Sequence, residues 1–181
     1  MSQFAEFTPQ ERGSPLPGLT LRRAAAGDEG ALGEMTARRE ALDPVETAAR
    51  FAREIAYVQD DNRLWVAVHA DRPVAFGRAR RYEGPTDAEP DLVPAGWYLG
   101  GVIVDEAWRR RGIAHALTAH RLAWIAERAP EAYYIANLRN RPSIELHAAF
   151  GFERLERPFT LPGLYFAGGD GALFRLDLAQ M

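Results

Sequence analysis

Residues 97–114 read WYLGGVIVDEAWRRRGIA. The first eight of these, 97–104, are apolar almost without interruption. Such a run suits a strand buried on both faces, as in the centre of a sheet covered on each side by helices. Three arginines and a glycine follow. Then comes a segment whose apolar residues Ile113, Ala116, Leu117 and Trp124 fall at helical spacing, ended by Pro130. A covered central strand running through a charged turn into a long helix excludes an open sandwich or a helical bundle. It demands a layered α/β arrangement.

The rest of the chain agrees. LTLRRA, 19–24, alternates as a strand does, and a helix follows with Asp28 at its expected start and Ala31, Leu32 and Met35 on one side. A second helix begins at Pro44, with a stripe of Val45, Ala49, Ala52 and Ile55 or Ala56 expected to face the core. RLWVAVHA and PVAFGRARRY form a hairpin about DRP. A proline-rich loop spans 83–96, a length that often marks a functional segment. AYYIANL, 132–138, is a strand. RPSIELHAAF, 141–150, is a short helix with Pro142 near its first turn and Gly151 just past its end. FERLERPFTLP and ALFRLDLA read as closing strands. The expected fold class is α/β (α+β): one domain over 19–181, a mixed sheet with helices on both faces, preceded by a flexible arm over 1–18.

Composition removes several functions. There is no cysteine, hence no disulfide, thiolate nucleophile or zinc–thiolate site. The four histidines lack HxxxH spacing, so no metal is expected. Net charge is −3, which disfavours nucleic acid and anionic membranes. RARRY, 78–82, lies in a strand that divides its arginines between two faces. With no signal pattern and no membrane-length apolar run, the expected location is cytoplasmic.

The turn at 108–114 is built for an anion. A helix start exposes unpaired N–H groups at the positive end of its dipole. Gly112 lets an anion reach the backbone, and Arg109, Arg110 and Arg111 offer paired donors that suit a diphosphate. Neither a GxxxxGK[ST] loop nor a strand-linked GxGxxG is present.

The spacing Arg109-x-x-Gly112-x-Ala114 after a buried VIV resembles the pyrophosphate loop of the GNAT N-acetyltransferase superfamily. NRPSIELHAAFGF, 140–152, resembles a later segment of the same family through Asn140, Ser143, Ile144, Leu146, His147, Gly151 and Phe152. Two departures stand out: Arg110 where the family often has Gly, and Glu106 where it often has Pro. The resemblance implies a sheet whose fourth and fifth strands splay apart around acetyl-CoA as co-substrate. It implies contacts from Val102, Ile103, Val104, Arg109, Arg110, Arg111, Gly112, Ile113, Ala114, Asn137, Asn140 and Ser143. The implied reaction is acetyl transfer to a primary amine of a small molecule or peptide, with a backbone N–H of Ile103 or Val104 at the oxyanion. A homodimer is a common assembly of the family.

The resemblance puts His147 beside the departing sulfur, where three roles are open: general acid, orientation of the thioester, or packing. Tyr98, a candidate catalytic residue by the resemblance, stands where some protein-acetylating members carry a Glu, which argues against a histone-like lysine acetyltransferase. Glu83, after the third strand, is a candidate general base. Two alternatives remain: a binding module that holds acyl-CoA without turnover, and a protein N-terminal or lysine acetyltransferase.

Overall fold

In the computed structural model, residues 16–57, 60–84, 92–161, 166 and 170–180 are described. In chain order the elements are β1 (Thr20–Arg23), α1 (Glu29–Glu40), α2 (Pro44–Ala56), β2 (Asn62–His69), β3 (Arg72–Tyr82), β4 (Gly96–Val104), α3 (Ile113–Ala126), β5 (Glu131–Asn137), α4 (Arg141–Ala148), β6 (Glu153–Arg154) and β7 (Gly171–Asp177). The strands form one sheet in the order β1-β2-β3-β4-β5-β7-β6. Every pairing is antiparallel except β4 with β5.

Period-two alternation explains why both faces are covered. On β2, Leu64, Val66 and Val68 join Leu32 and Met35 of α1 and Phe51 of α2. Trp65 and Ala67 point the other way, into a cluster with Ile113, Leu117, Leu122 and Ile125 of α3. A sheet apolar on both faces has to be buried on both. Helices α1 and α2 meet closely because residue 33 is glycine: a Cβ there would lie 2.7 Å from the Ala48 nitrogen.

Several sequence expectations change. On α2, Val45 is 75% exposed and Ala49 and Ala52 face outward, while Thr47 and Phe51 are buried. Burying one phenylalanine, whose ring meets Phe76 edge-on at 5.1 Å, outweighs burying a stripe dominated by alanine. Asp28 sits at the start of α1, yet its side chain does not cap that helix. It instead accepts from both Arg22 nitrogens (2.7 and 2.8 Å) and from the Ala25 N–H. The penultimate strand shrinks to Glu153–Arg154. Beyond Leu155, Pro158 supplies no N–H, and the segment turns to bridge Leu92 through Thr160. Of the arm expected over 1–18, residues 1–15 lie outside the described residues, and Leu16 packs against the α3 cluster. No helix among the described residues is long and apolar enough to cross a membrane.

Candidate active site

The parallel ladder between β4 and β5 lasts three residues: Trp97 with Ala132, Tyr98 with Tyr133, Leu99 with Tyr134. Past that point β4 follows β3 as far as Val104 opposite Ala75. Meanwhile β5 follows β7 as far as Asn137 opposite Gly171. The two strands splay, and the edges at 102–104 and 135–137 face a gap with backbone groups not used between them. The register on β3 shows why β4 departs. Ala79 lies opposite Leu99 but Gly77 lies opposite Val102, so three steps on β4 match two on β3. The extra residue is a bulge at Gly100–Gly101, and a bulge bends its strand.

From the gap, β4 leads through Asp105 into the arginine turn. The Asp105 carboxylate accepts from the Ala107 N–H at 3.2 Å and from Arg38 at 2.8 Å. Arg109 is held 3.3 Å from Glu106. Arg111 lies over the Trp108 ring, 5.2 Å from its centroid. Arg110 adopts φ +63° and Gly112 φ +70°. The first of these is a left-handed conformation that costs a non-glycine residue about 1–2 kcal/mol. No side chain caps α3. Its first internal bond joins the Ala116 N–H to the Gly112 carbonyl at 3.0 Å, so the amides ahead of Ala116 have no helical carbonyl to meet. Ile113 is 1% exposed and anchors the turn, between exposed Gly112 and half-buried Ala114.

The segment into α4 is a chain of local hydrogen bonds. The Asn137 side chain accepts from the Arg139 N–H at 2.8 Å. Asn140 caps α4, its carbonyl accepting from Ser143 and Ile144 at 3.1 Å and its side chain from Ser143 at 3.4 Å. The Ser143 carbonyl in turn accepts from Nδ1 of His147 at 2.7 Å. A carbonyl can only accept, so Nδ1 carries the proton and Nε2 the lone pair. His147 is 4% exposed. Its ring stacks on Tyr134 at 3.9 Å and meets Phe152 edge-on. Burial pushes its pKa down to about 4; the Ser143 carbonyl opposes this and buried Arg121 adds to it. Tyr134 pairs with Leu99 on the last rung of the parallel ladder, so His147 lies under the point where the strands part. Nε2 of His147 and the Tyr134 hydroxyl are buried with no hydrogen-bond partner among the described residues.

Tyr98 occupies the other face of the sheet. Its ring stacks on Tyr133 at 5.2 Å, and its hydroxyl donates to the Pro94 carbonyl at 2.6 Å. Burial raises its pKa well above the usual tyrosine range. Glu83 is exposed past the end of β3, 3.4 Å from Arg81. The structure thus strings Val102–Val104 and Arg109–Ala114 along one path, sets His147 beneath that path's start, and separates His147 from Tyr98 by the sheet.

Sequence reasoning missed two features. Arg121 on α3 is fully buried, and its place four residues after Leu117 and eight after Ile113 was the available signal. Glu54 and Arg78 form a two-pronged ion pair, 2.7 and 2.8 Å, with Arg78 over the Phe51 and Phe76 rings. Burial works against the Glu54 carboxylate, but the Arg78 guanidinium, with Arg80, outweighs it and holds the pKa below the ordinary range. These two residues are 24 positions apart and leave no local signature. Among the described residues, no group of three or more His, Asp or Glu side chains converges to hold a metal.

The fold has many solved counterparts. Arabidopsis thaliana NAA60, in complex with acetyl-CoA, is 20% identical with a TM-score of 0.67, over 89% of this chain and 99% of that one. The ribosomal-protein-S18-alanine N-acetyltransferase of Escherichia coli gives 17% and 0.63, over 88% and 94%. A phosphinothricin acetyltransferase of Sinorhizobium meliloti, in complex with acetyl-CoA, gives 17% and 0.61, over 88% of each chain. No curated protein matches the sequence. The profile of the acetyltransferase (GNAT) family matches residues 34–152. The splayed strands, the uncapped helix start in its arginine turn and that match agree: this chain belongs to the acetyltransferase (GNAT) family.

Proposed function

We propose that the chain is an N-acetyltransferase that moves the acetyl group of acetyl-CoA to a primary amine of a small molecule or peptide. The observation that carries this reading is the continuity of the β4 edge with the uncapped start of α3. An open strand edge suits the amide-bearing arm of coenzyme A, and the helix start beyond it suits the diphosphate. In this reading the N–H groups of Gly112, Ile113 and Ala114 meet the diphosphate, ringed by Arg109, Arg110 and Arg111. Val102, Ile103 and Val104 pair with the arm. Asn137, Asn140 and Ser143 shape the turn into α4 that borders it.

The free amine attacks the thioester carbonyl, the N–C bond forms, and the carbonyl oxygen becomes an oxyanion beside backbone N–H groups of β4. The C–S bond then breaks and coenzyme A leaves as a thiolate, whose conjugate acid has a pKa of about 8.5. The amine's proton passes to solvent, with Glu83 as the candidate acceptor at the exposed end of β3. His147, neutral with its lone pair on Nε2, orients the sulfur end of the thioester and holds the aromatic stack beneath it. Tyr98, with its hydroxyl engaged by Pro94, shapes the acceptor side.

Fold neighbours named for a ribosomal-protein alanine and for phosphinothricin support both a peptide and a small-molecule acceptor. The test supplies acetyl-CoA with a panel of amino acids, polyamines and peptide N-termini and follows free thiol. Amine-dependent release is expected. Coenzyme A binding with no amine-dependent release across the panel would make the chain a binder instead.

A further inference from the structure

Arg121 is a fully buried cation that no carboxylate meets among the described residues. Its helix neighbours Leu117, Leu122 and Ile125 belong to the buried apolar core. A charge placed there needs compensation from polar partners. Four are present. Nη1 donates to the carbonyls of Arg78 at 2.8 Å and Gly100 at 2.9 Å. Nη2 donates to the Thr118 hydroxyl at 3.0 Å, and Nε to the Leu117 carbonyl at 3.3 Å.

The two strand carbonyls lie where the β3–β4 ladder slips: Arg78 between Gly77 and Ala79, Gly100 between Leu99 and Val102. The guanidinium therefore replaces ladder bonds that the bulge removes. The backbone around it is cut to fit. A Cβ on Gly77 would lie 3.0 Å from both Cζ and Nη1 of Arg121, and one on Gly100 would lie 3.0 Å from the Arg78 Cβ. Gly101 has open space on its outer side. The Gly100 carbonyl and the Gly101 N–H belong to one peptide unit, and a carbonyl bound to a cation makes its own N–H a stronger donor.

We propose that Arg121 is a positioning residue for acetyl transfer, locking the bulge open and polarising the Gly100–Gly101 peptide so that its N–H joins the donors facing the thioester oxygen. This rests on the acetyltransferase reading above. Arg121 does not touch substrate; it acts through the peptide it holds.

The test compares Arg121→Met, Arg121→Lys and Gly77→Ala with wild type for kcat, for KM of each substrate, for the Kd of coenzyme A and for melting temperature. Arg121→Met should lower kcat roughly 10–100-fold, somewhat less than direct loss of an oxyanion donor, while the Kd of coenzyme A stays within about twofold. Arg121→Lys, able to reach one carbonyl, should recover part of kcat. Gly77→Ala, which displaces the guanidinium but keeps its charge, should lower kcat in the same sense. A folded Arg121→Met protein with wild-type kcat, or with kcat and coenzyme A affinity lost in equal measure, overturns the proposal. If Arg121→Met does not fold, Arg121→Lys and Gly77→Ala decide by the same criterion. Wild-type protein that releases no thiol with any amine defeats the acetyltransferase reading alone. The proposal is then judged by the affinity ratio of acetyl-CoA to coenzyme A, which the Arg121 variants should move toward one; an unmoved ratio overturns it.

Discussion

The two faces of the sheet at the β4–β5 gap are built from different materials. On the α3–α4 side, polar groups are deeply buried and held by backbone: Arg121 by strand carbonyls, His147 by the Ser143 carbonyl, α3 by a turn that leaves its amides unused. On the α1–α2 side the half-buried pair Glu54 and Arg78 hold each other, and the three rings of Tyr82, Tyr98 and Tyr133 pack together. Backbone-held polar groups create fixed donors for one constant ligand. Side-chain pairs on a half-open face can be exchanged without disturbing the fold, which suits acceptor selection in the function proposed above.

The comparison breaks first at Gly112. Valine there would be β-branched at φ +70° and would cover the amides at the start of α3. Loss of one or two charge-assisted hydrogen bonds at roughly 1.5–3 kcal/mol each predicts coenzyme A binding weaker by about 100-fold or more. Titration calorimetry on a protein with wild-type circular dichroism checks it. Unchanged affinity would mean that the backbone-built side does not hold the cofactor.

His147 gives the next largest effect, in stability. Burial holds its folded pKa at about 4, below the ordinary histidine value of 6.5. Above pH 6.5 neither state takes the proton and nothing is lost. As pH falls from 6.5 toward 4, the unfolded chain binds a proton that the folded chain refuses, so stability declines, by roughly 3 kcal/mol in full. His147→Phe keeps a ring against Tyr134 and removes that slope. Denaturant unfolding of both proteins at pH 7.5, 5.5 and 4.5 reads the difference, in which carboxylates common to both cancel. Parallel curves would show that this histidine is not held neutral by burial.

The same contrast explains what the sequence revealed. The gap side was legible because each part is local: an apolar run, a turn, a helix start, and Asn140 three residues before Ser143, with His147 four further on. Its geometry follows from short-range hydrogen bonding whatever the rest of the chain does. The bulge was less legible, since two glycines mark a close approach without saying which carbonyls are freed or that Arg121 takes them. The α1–α2 side was largely hidden. Glu54 meets Arg78 and Leu92 meets Thr160 only through tertiary packing. On helix α2 Ile55 faces the core as expected, but Val45, Ala49 and Ala52 do not, because one buried phenylalanine overrules the rest of the stripe.

Glu54→Ala probes that hidden side. It strands a half-buried guanidinium above two phenylalanine rings. The expected cost is roughly 1–2 kcal/mol, between exposed and buried pairs. A double-mutant cycle with Arg78→Met should show coupling, since each partner's loss leaves the other unsatisfied. The KM for the amine should change while that for acetyl-CoA holds. A shift confined to acetyl-CoA would show that the two faces are not divided in this way.

The smallest effect sharpens the comparison most. Tyr98→Phe keeps the ring that stacks on Tyr133 and meets Tyr82 edge-on at 6.3 Å. It removes only the hydroxyl that donates to Pro94. One such hydrogen bond contributes about 1 kcal/mol to stability. Because burial raises the Tyr98 pKa, the phenol stays protonated across the range in which an amine acetyltransferase is assayed, and it cannot serve there as a base. Tyr98→Phe should therefore keep kcat within about twofold and leave its pH profile in place, with a modest change in the amine KM as the Pro94 turn relaxes. A fall of about 100-fold, the scale of lost proton transfer, would make the hydroxyl a catalytic group. The α1–α2 face would then carry chemistry as well as selection.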